Sequence, residues 1–352
     1  MNTQTSLTDM IADSLELRDG IWYGEKGLYW SNLSREDNQS YIRELPQLGA
    51  KATLRKYFPQ HEEVIFSPKR MGGVATLDLR PEDRILDAGC MWGALTVPLA
   101  YTGAQVVGID QTEESLKFLA QRKAEEGLEN LTLINADLKK IALRAGSFDK
   151  IVLNGVLEWI PEVENVEVNQ FTTRRPGLWE SLRRLRQRPP GHQSPREEQV
   201  RFLKKIAGAL KDDGVLYLAI ENRYDIYYFL GQKEPHCGIR FFSFLPHGLQ
   251  NLVSLLLRGR EFRNWTYSEG GLRSLLRDAG FTNVDVLYGF PGYHFPELVL
   301  QKEGMRFFRS AAMAQSPSRI KKAVKKIVSH TVFGIFKARA LAPAFIVHAR
   351  KI

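Results

Sequence analysis

Cysteine is scarce in this chain: 352 residues contain only Cys90 and Cys237. Two thiols make no disulfide framework, which fits a reducing, cytoplasmic setting. Long apolar runs are missing too. The longest, Leu252–Leu257 and Leu341–Val347, fall well short of the roughly 18 residues that a membrane span requires. The first residues, Met1-Asn2-Thr3-Gln4-Thr5, lack the charged-then-apolar pattern of a secretory signal. No cluster of His, Cys and carboxylates shows metal-ligand spacing, so no metal is expected. Negative charge is almost absent from one stretch. Lys302–Ile352 holds twelve Lys and Arg against one acid, Glu303. That is net +11 in a chain of net +9, which leaves residues 1–301 at −2.

What is present suffices for a large core, since 43% of residues are hydrophobic. The length suggests about two domains, or one large domain with insertions. Residues 1–75 read as an aromatic-rich, helical or irregular cap. Residues 76–300 alternate strand and helix, which implies parallel strands joined by right-handed crossovers. The predicted strands are Arg84–Ala88, Val106–Asp110, Leu131–Asn135, Lys150–Asn154 and Val215–Ile220. Helices are predicted from about Trp92 to Tyr101, from Thr112 as cap, over Arg196–Leu210 and over Tyr267–Ala279. Residues 161–195, rich in Arg and ending in Pro189-Pro190-Gly191, form an insertion with a short helix near Leu178–Leu185. Val284–Leu287 is a later strand. Residues 301–340 form a basic helical segment, with an amphipathic helix over Arg319–Phe336. The last core strand falls in 341–352, over Ala344–Ala349.

Arg84-Ile85-Leu86-Asp87-Ala88-Gly89-Cys90-Met91-Trp92-Gly93 is a buried strand running into a glycine turn. Asp110 ends the next strand, 23 residues after Asp87. A glycine-rich β–α turn lets a cofactor approach the backbone, and an acid about 20 residues on accepts hydrogen bonds from a ribose. A dinucleotide fingerprint would need a glycine where Met91 stands, to admit a pyrophosphate. Its absence argues against NAD or FAD and for a nucleoside carrying an amino acid. Ala136-Asp137 follows the third strand, where a carboxylate meets an adenine amino group. Asn154 ends the fourth.

This series resembles the class I S-adenosylmethionine-dependent methyltransferases over roughly residues 80–290. The motifs are Leu86–Gly93, Gly108-Ile109-Asp110, Ala136-Asp137 and Asn154-Gly155-Val156-Leu157-Glu158-Trp159. The resemblance implies an α/β, Rossmann-like fold: a mostly parallel seven-stranded sheet with helices on both faces, an N-terminal cap and insertions. It implies S-adenosyl-L-methionine as cofactor. Asp87, Gly89, Cys90 and Gly93 would line its methionine end, though Cys90 also reads as a small buried space-filler. Asp110, with Gln111 beside it, would hold the ribose. Ala136 and Asp137 would meet the adenine edge, and Asn154 would lie near the methyl group. The alternative is that Gly89 and Gly93 only permit tight strand–helix packing.

Asn154-Gly155-Val156-Leu157 is not the Asn/Asp-Pro-Pro-Tyr/Phe of enzymes that methylate amino groups on bases. The order Glu221-Asn222-Arg223-Tyr224, His236-Cys237-Gly238 and Pro291-Gly292-Tyr293-His294 is similar to bacterial methyltransferases of surface-polysaccharide and lipopolysaccharide assembly. That implies O-methylation of a sugar or lipid-linked saccharide. An alcohol acceptor gains from a base near its proton. Glu158 and Glu221 are the candidates, with His236 and His294 behind them. Each has a plain alternative: Glu158 capping a helix, Glu221 pairing Arg223, His236 satisfied in a loop. Tyr224, Tyr227, Tyr228, Phe229, Phe241, Phe242 and Phe244 form either a sugar- or lipid-facing wall or ordinary packing.

The basic helix sets Lys321, Lys322, Lys325 and Lys326 beside Ile320, Val324, Ile327 and Val328. Such a helix suits an anionic membrane surface, placing the protein at the inner face of a bacterial membrane. RNA is the competing polyanion. An RNA or natural-product methyltransferase and a non-catalytic cofactor-binding scaffold are the other readings.

Overall fold

Alternate residues of the central strands enter two different cores, one on each face of a single sheet. The computed structural model describes residues 7–31, 35–163, 166–167, 193–308 and 319–351. Its strands are β1 (Glu16–Arg18), β2 (Ile21–Tyr23), β3 (Trp30–Ser31), β4 (Arg84–Ala88), β5 (Gln105–Asp110), β6 (Leu131–Asn135), β7 (Phe148–Asn154), β8 (Val166–Glu167), β9 (Leu210–Glu221), β10 (Asn283–Phe290), β11 (Leu298–Leu300) and β12 (Ala344–Arg350). Leu86, Val107, Ile134, Ile151 and Leu218 pack on one face. Their neighbours Ile85, Val106, Leu133, Val152 and Tyr217 pack on the other. The two-residue period of a strand buried on both sides explains why these segments read as continuous apolar runs.

The principal helices are α1 (Arg35–Leu48), α2 (Ala50–Tyr57), α3 (Thr96–Ala100), α4 (Glu113–Glu125), α5 (Pro195–Ala209), α6 (His247–Arg258), α7 (Glu269–Asp278) and α8 (Arg319–Ser329). α5 contributes Phe202, Leu203 and Ile206, and α7 contributes Leu272, Leu275 and Leu276, to the first core. α3 contributes Val97 and Leu99, and α4 contributes Leu116 and Leu119, to the second. α5 begins in a full capping box, with Ser194 and Glu197 satisfying each other's backbone amides.

The strand order is β1-β2-β6-β5-β4-β7-β9-β12-β10-β11. Among the described residues this sheet has ten strands, not the seven expected. β4 pairs in parallel with β5 and β7, β5 with β6, and β7 with β9. β12 inserts antiparallel between β9 and β10, and β1 and β11 also run against their neighbours at the two edges. The extra strands sit at the edges. β11 pairs with β10, and the β1–β2 hairpin adds to β6 through Ile21 opposite Leu133. The N-terminal segment is therefore only partly a cap. Its α1 and α2 do cover the sheet's helical layer, packing Tyr41, Leu54 and Phe58 against Trp92 and Phe118.

Several local expectations change. The helix expected from Trp92 starts only at Thr96, because Gly89, Met91 and Gly93 all hold positive φ. Thr112 stands at the start of α4 without a capping side-chain bond. α7 starts two residues later than expected, because Ser268 caps it by accepting from the Gly271 amide. The basic helix is α-helical to Ser329 and then widens into a π turn over His330–Ile335. The short helix expected near Leu178–Leu185 lies outside the described residues. Among the described residues no helix is long and apolar enough to cross a membrane.

Candidate active site

β4, β5, β6, β7 and β9 end on one edge of the sheet, and two adjoining cavities open there. The first, with about 760 Å³ of empty space, is lined by Gly89, Met91, Asp110, Gln111, Asp137 and Asn154, with Tyr29 and Trp159. The second, with about 1500 Å³, is lined by Asp87, Cys90, Arg70, Glu221, His236, Tyr293 and His294. Gly89, Met91, Asn154, Gly155 and Trp159 line both, so the two spaces meet at the ends of β4 and β7.

The turn after β4 is held from β5. The Gly89 and Cys90 amides donate to the Ile109 carbonyl at 2.8 and 3.2 Å. Met91, in place of the glycine of a dinucleotide fingerprint, still takes a left-handed φ of 43°. That conformation costs an ordinary residue on the order of 1–2 kcal/mol. An offsetting bond runs from its amide to Oδ2 of Asp110 at 2.9 Å. Oδ1 of Asp110 accepts from the Thr112 amide at 2.8 Å. Burial raises the Asp110 pKa, and these amides oppose the rise.

Asp137 is fixed by the Lys139 amide on Oδ1 at 2.8 Å and by its own amide on the Glu25 carbonyl. Ala136 does not line the cleft. It is buried behind it, its amide donating to the Asp110 carbonyl. Gly93 also stands back: a Cβ there would meet Leu119 Cδ1 at 2.2 Å. Its role is packing against α4. Gly89 both packs and lines, since a Cβ would reach Val156 at 2.5 Å and narrow the junction of the cavities. Cys90 borders the second cavity while filling the space between Gly108 and Thr96; burial pushes its thiol well up. Asp87 accepts from Thr96 Oγ1 at 2.6 Å, and burial raises its pKa to about 6.

The three base candidates converge. One ligand-type atom from each of Glu158, Glu221 and His236 lies within 4.8 Å of the others. Sequence spacing does not show this grouping, because residues far apart in sequence meet near the ends of β7 and β9. Tyr293 donates to Oε1 of Glu221 at 3.0 Å. Glu221 does not pair with Arg223, whose guanidinium turns to the Ser243 carbonyl. Glu158 lies in a short 3₁₀ turn, buried, with neither carboxylate oxygen hydrogen-bonded. Burial first, then the charge of Glu221, raise it to about 8. His236 is a satisfied loop residue, as its alternative reading had it: its Nδ1 lies 2.5 Å from Glu234, and its ring meets Trp159 edge-on. Burial pulls its pKa down, but the Glu234 carboxylate outweighs this and lifts it to about 9.

Arg70, Glu234 and Tyr293 were not among the candidates. Tyr293 sits in the Pro291–His294 stretch and was legible there. Arg70 lies in the segment read as a cap, where nothing marks it. It bonds His294 at Nδ1 and at the carbonyl, at 2.7 and 3.0 Å. Burial first, then Arg70, lower His294 to about 3, so it stays neutral. The aromatic group does not form a wall of either cavity. Tyr227, Tyr228 and Phe242 are core, while Tyr224, Phe229 and Phe241 face outward elsewhere.

Residues 79–222, which carry the turn, Asp110, Asp137 and Asn154, match the Methyltransferase domain family. A 23S rRNA (uracil-C5)-methyltransferase of Klebsiella pneumoniae is 36% identical over 91 residues, 25% of this chain and 21% of that protein. A ubiquinone biosynthesis O-methyltransferase of Bordetella parapertussis is 27% identical over 193 residues, 53% of this chain and 72% of that protein. A solved methyltransferase structure from Aquifex aeolicus aligns over 89% of this chain and 98% of its own, with a TM-score of 0.43 and 14% identity. The chain spans about a fifth of the length of the rRNA methyltransferase it matches. The central segment is thus similar to methyltransferase domains over less than half of the chain, and S-adenosylmethionine is the cofactor this similarity supports. The first cavity fits that cofactor: Asp110 and Asp137 present carboxylates to it, and Gly89 leaves its junction with the second cavity open.

Proposed function

We propose that this chain methylates a hydroxyl of a sugar or glycolipid precursor of a bacterial surface polysaccharide. S-adenosylmethionine, bound in the first cavity, supplies a methyl group already activated on sulfur. Asp110 and Gln111 would hold its ribose and Asp137 its base, and its amino-acid end would cross the junction to Asp87 on the second cavity. The chain's remaining task is to align the acceptor and exclude water. The carrying observation is Glu221. Its carboxylate is fixed by Tyr293 and lines the cavity that meets the cofactor cleft. A hydroxyl placed there sheds its proton to Glu221 as it is methylated. The second cavity has room for a saccharide unit. The Bordetella relative, matched over most of its length, is named an O-methyltransferase. Both thiols are buried with raised pKa values, which disfavours a covalent thiolate route.

The test is transfer of labelled methyl from S-adenosylmethionine to lipid-linked saccharides and, in parallel, to ribosomal RNA. Saccharide labelling is expected. Glu221→Gln should lower turnover by roughly 10²–10⁴-fold while S-adenosylhomocysteine affinity stays unchanged. Labelling of RNA alone would replace this reading with the one the Klebsiella relative favours.

A membrane-facing site for the acceptor is supported by the surface. On α8, Val324 and Ile327 are exposed beside Lys326. On α6, Leu249, Leu252 and Leu256 are exposed too. Tyr227, in the turn before exposed Phe229 and Leu230, bonds Ser329 at the end of α8 across 3.0 Å. Apolar side chains beside a cationic segment suit an anionic lipid surface at the inner face of the membrane.

A further inference from the structure

We propose that Glu158, Glu221 and His236 bind a divalent cation whose open coordination positions face the acceptor cavity. Glu158 is 1% exposed and neither of its carboxylate oxygens has a hydrogen-bond partner. Oε2 of Glu221 is likewise buried and unpartnered. His236 is the charged neighbour grouped with both carboxylates. Burial and the charge of Glu221 favour the protonated form of Glu158 in the metal-free site, and a cation would bind by displacing that proton.

The surroundings are arranged as an outer shell. Nδ1 of His236 is taken by Glu234, so Nε2 is the nitrogen a cation would take on displacing its proton. Glu234 is itself anchored by the His236 and Cys237 amides at 2.8 and 2.7 Å. A carboxylate behind a histidine fixes the ring and its tautomer at metal sites. Tyr293 orients Glu221 in the same way. Glu221 and His236 line the second cavity, so the remaining positions open toward the acceptor. Two carboxylates and one imidazole suit Mn²⁺, Fe²⁺ or Zn²⁺ better than a soft ion. Such an ion, on Oε2 of Glu221, would hold neighbouring hydroxyls of a sugar and acidify the one being methylated, whose proton would pass to Oε1 of the same carboxylate. That role rests on the O-methyltransferase reading, whereas cation binding does not.

The experiment is Mn²⁺ titration of the chelator-treated full chain, followed by electron paramagnetic resonance, with S-adenosylhomocysteine calorimetry alongside. One saturable Mn²⁺ per chain is expected, displaced by Zn²⁺. Glu158→Gln and His236→Gln should each weaken it at least tenfold, and Glu234→Gln roughly 10–100-fold through the ring it positions. Each variant should still bind S-adenosylhomocysteine. Should a variant fail to fold, spin-echo modulation of Mn²⁺ in the wild type by an imidazole nitrogen decides the matter. Its absence overturns the proposal, as does equal Mn²⁺ uptake by wild type and folded Glu158→Gln. Mn²⁺ bound at this site without methylation of any saccharide would overturn the acceptor reading and leave the cation site standing.

Discussion

The backbone amide of Met91 donates to Oδ2 of Asp110 across 2.9 Å, tying the turn after β4 to the end of β5. Two motifs separate in the sequence are thus one structural unit. The acid that would hold the ribose also holds the loop in place, and the bond explains how a methionine occupies a left-handed position.

Asp110→Ala should therefore do two things at once. It strands the Met91 and Thr112 amides, a loss of about 1–3 kcal/mol for each buried donor left unmade. It also removes a charged acceptor, weakening S-adenosylhomocysteine by roughly tenfold to a hundredfold. Calorimetry and denaturant unfolding check both. A variant with normal stability and lost affinity would mean the carboxylate serves the cofactor only.

Gly93→Ala separates packing from binding. The new Cβ would sit 2.2 Å from Leu119 Cδ1, at a φ of 77°. Strain and overpacking together should remove about 2–4 kcal/mol of stability. The folded variant should keep its S-adenosylhomocysteine affinity within about threefold, since Gly93 does not line the cleft. Intact stability with abolished binding would return Gly93 to the cofactor site.

Much of this was legible beforehand for a physical reason. Leu86-Asp87-Ala88-Gly89 and Gly108-Ile109-Asp110 are local patterns, because a strand buried on both faces and a turn at positive φ each constrain their own residues. The edge strands escaped because β1, β2 and β11 are three residues each and carry no period. The site's floor escaped for another reason. Glu158 and Glu221 were placed by strand ends, but the company of His236, and the presence of Arg70 and Glu234, depend on loops whose spacing encodes nothing. Cys90 and Met91 show how one position carries two demands, packing and a site wall.

Vesicle sedimentation tests the surface on α8. The full chain should pellet with vesicles containing anionic lipid and stay in solution with neutral ones, and salt should weaken the effect. Ile327 is 67% exposed, so Ile327→Glu should leave the fold intact and lower the partition severalfold. Equal binding to neutral and anionic vesicles, or none, would remove the membrane from the account.

Asp87 gives a pH dependence whose sign follows from its surroundings. Burial raises its pKa from 3.8 to about 6, with the nearby Asp110 adding and Thr96 and Arg70 opposing. A carboxyl raised by folding favours its neutral form in the folded state. Below about pH 4 both folded and unfolded chains hold the proton, and the group is silent. Between about pH 4 and 6 the unfolded chain releases it first, so stability falls as pH rises, by up to about 3 kcal/mol, and levels off above. Asp87→Asn keeps an acceptor for Thr96 and should lack this slope, gaining on the cofactor-free wild type as pH climbs through 6. The cofactor reverses the preference, because an ammonium at its amino-acid end stabilises ionised Asp87. S-adenosylhomocysteine should accordingly bind the wild type more tightly from pH 5 to 7.5, with proton release, and bind Asp87→Asn without that trend. Parallel stability curves for the two proteins, with the same pH-independent affinity, would mean that Asp87 is ionised before the cofactor arrives.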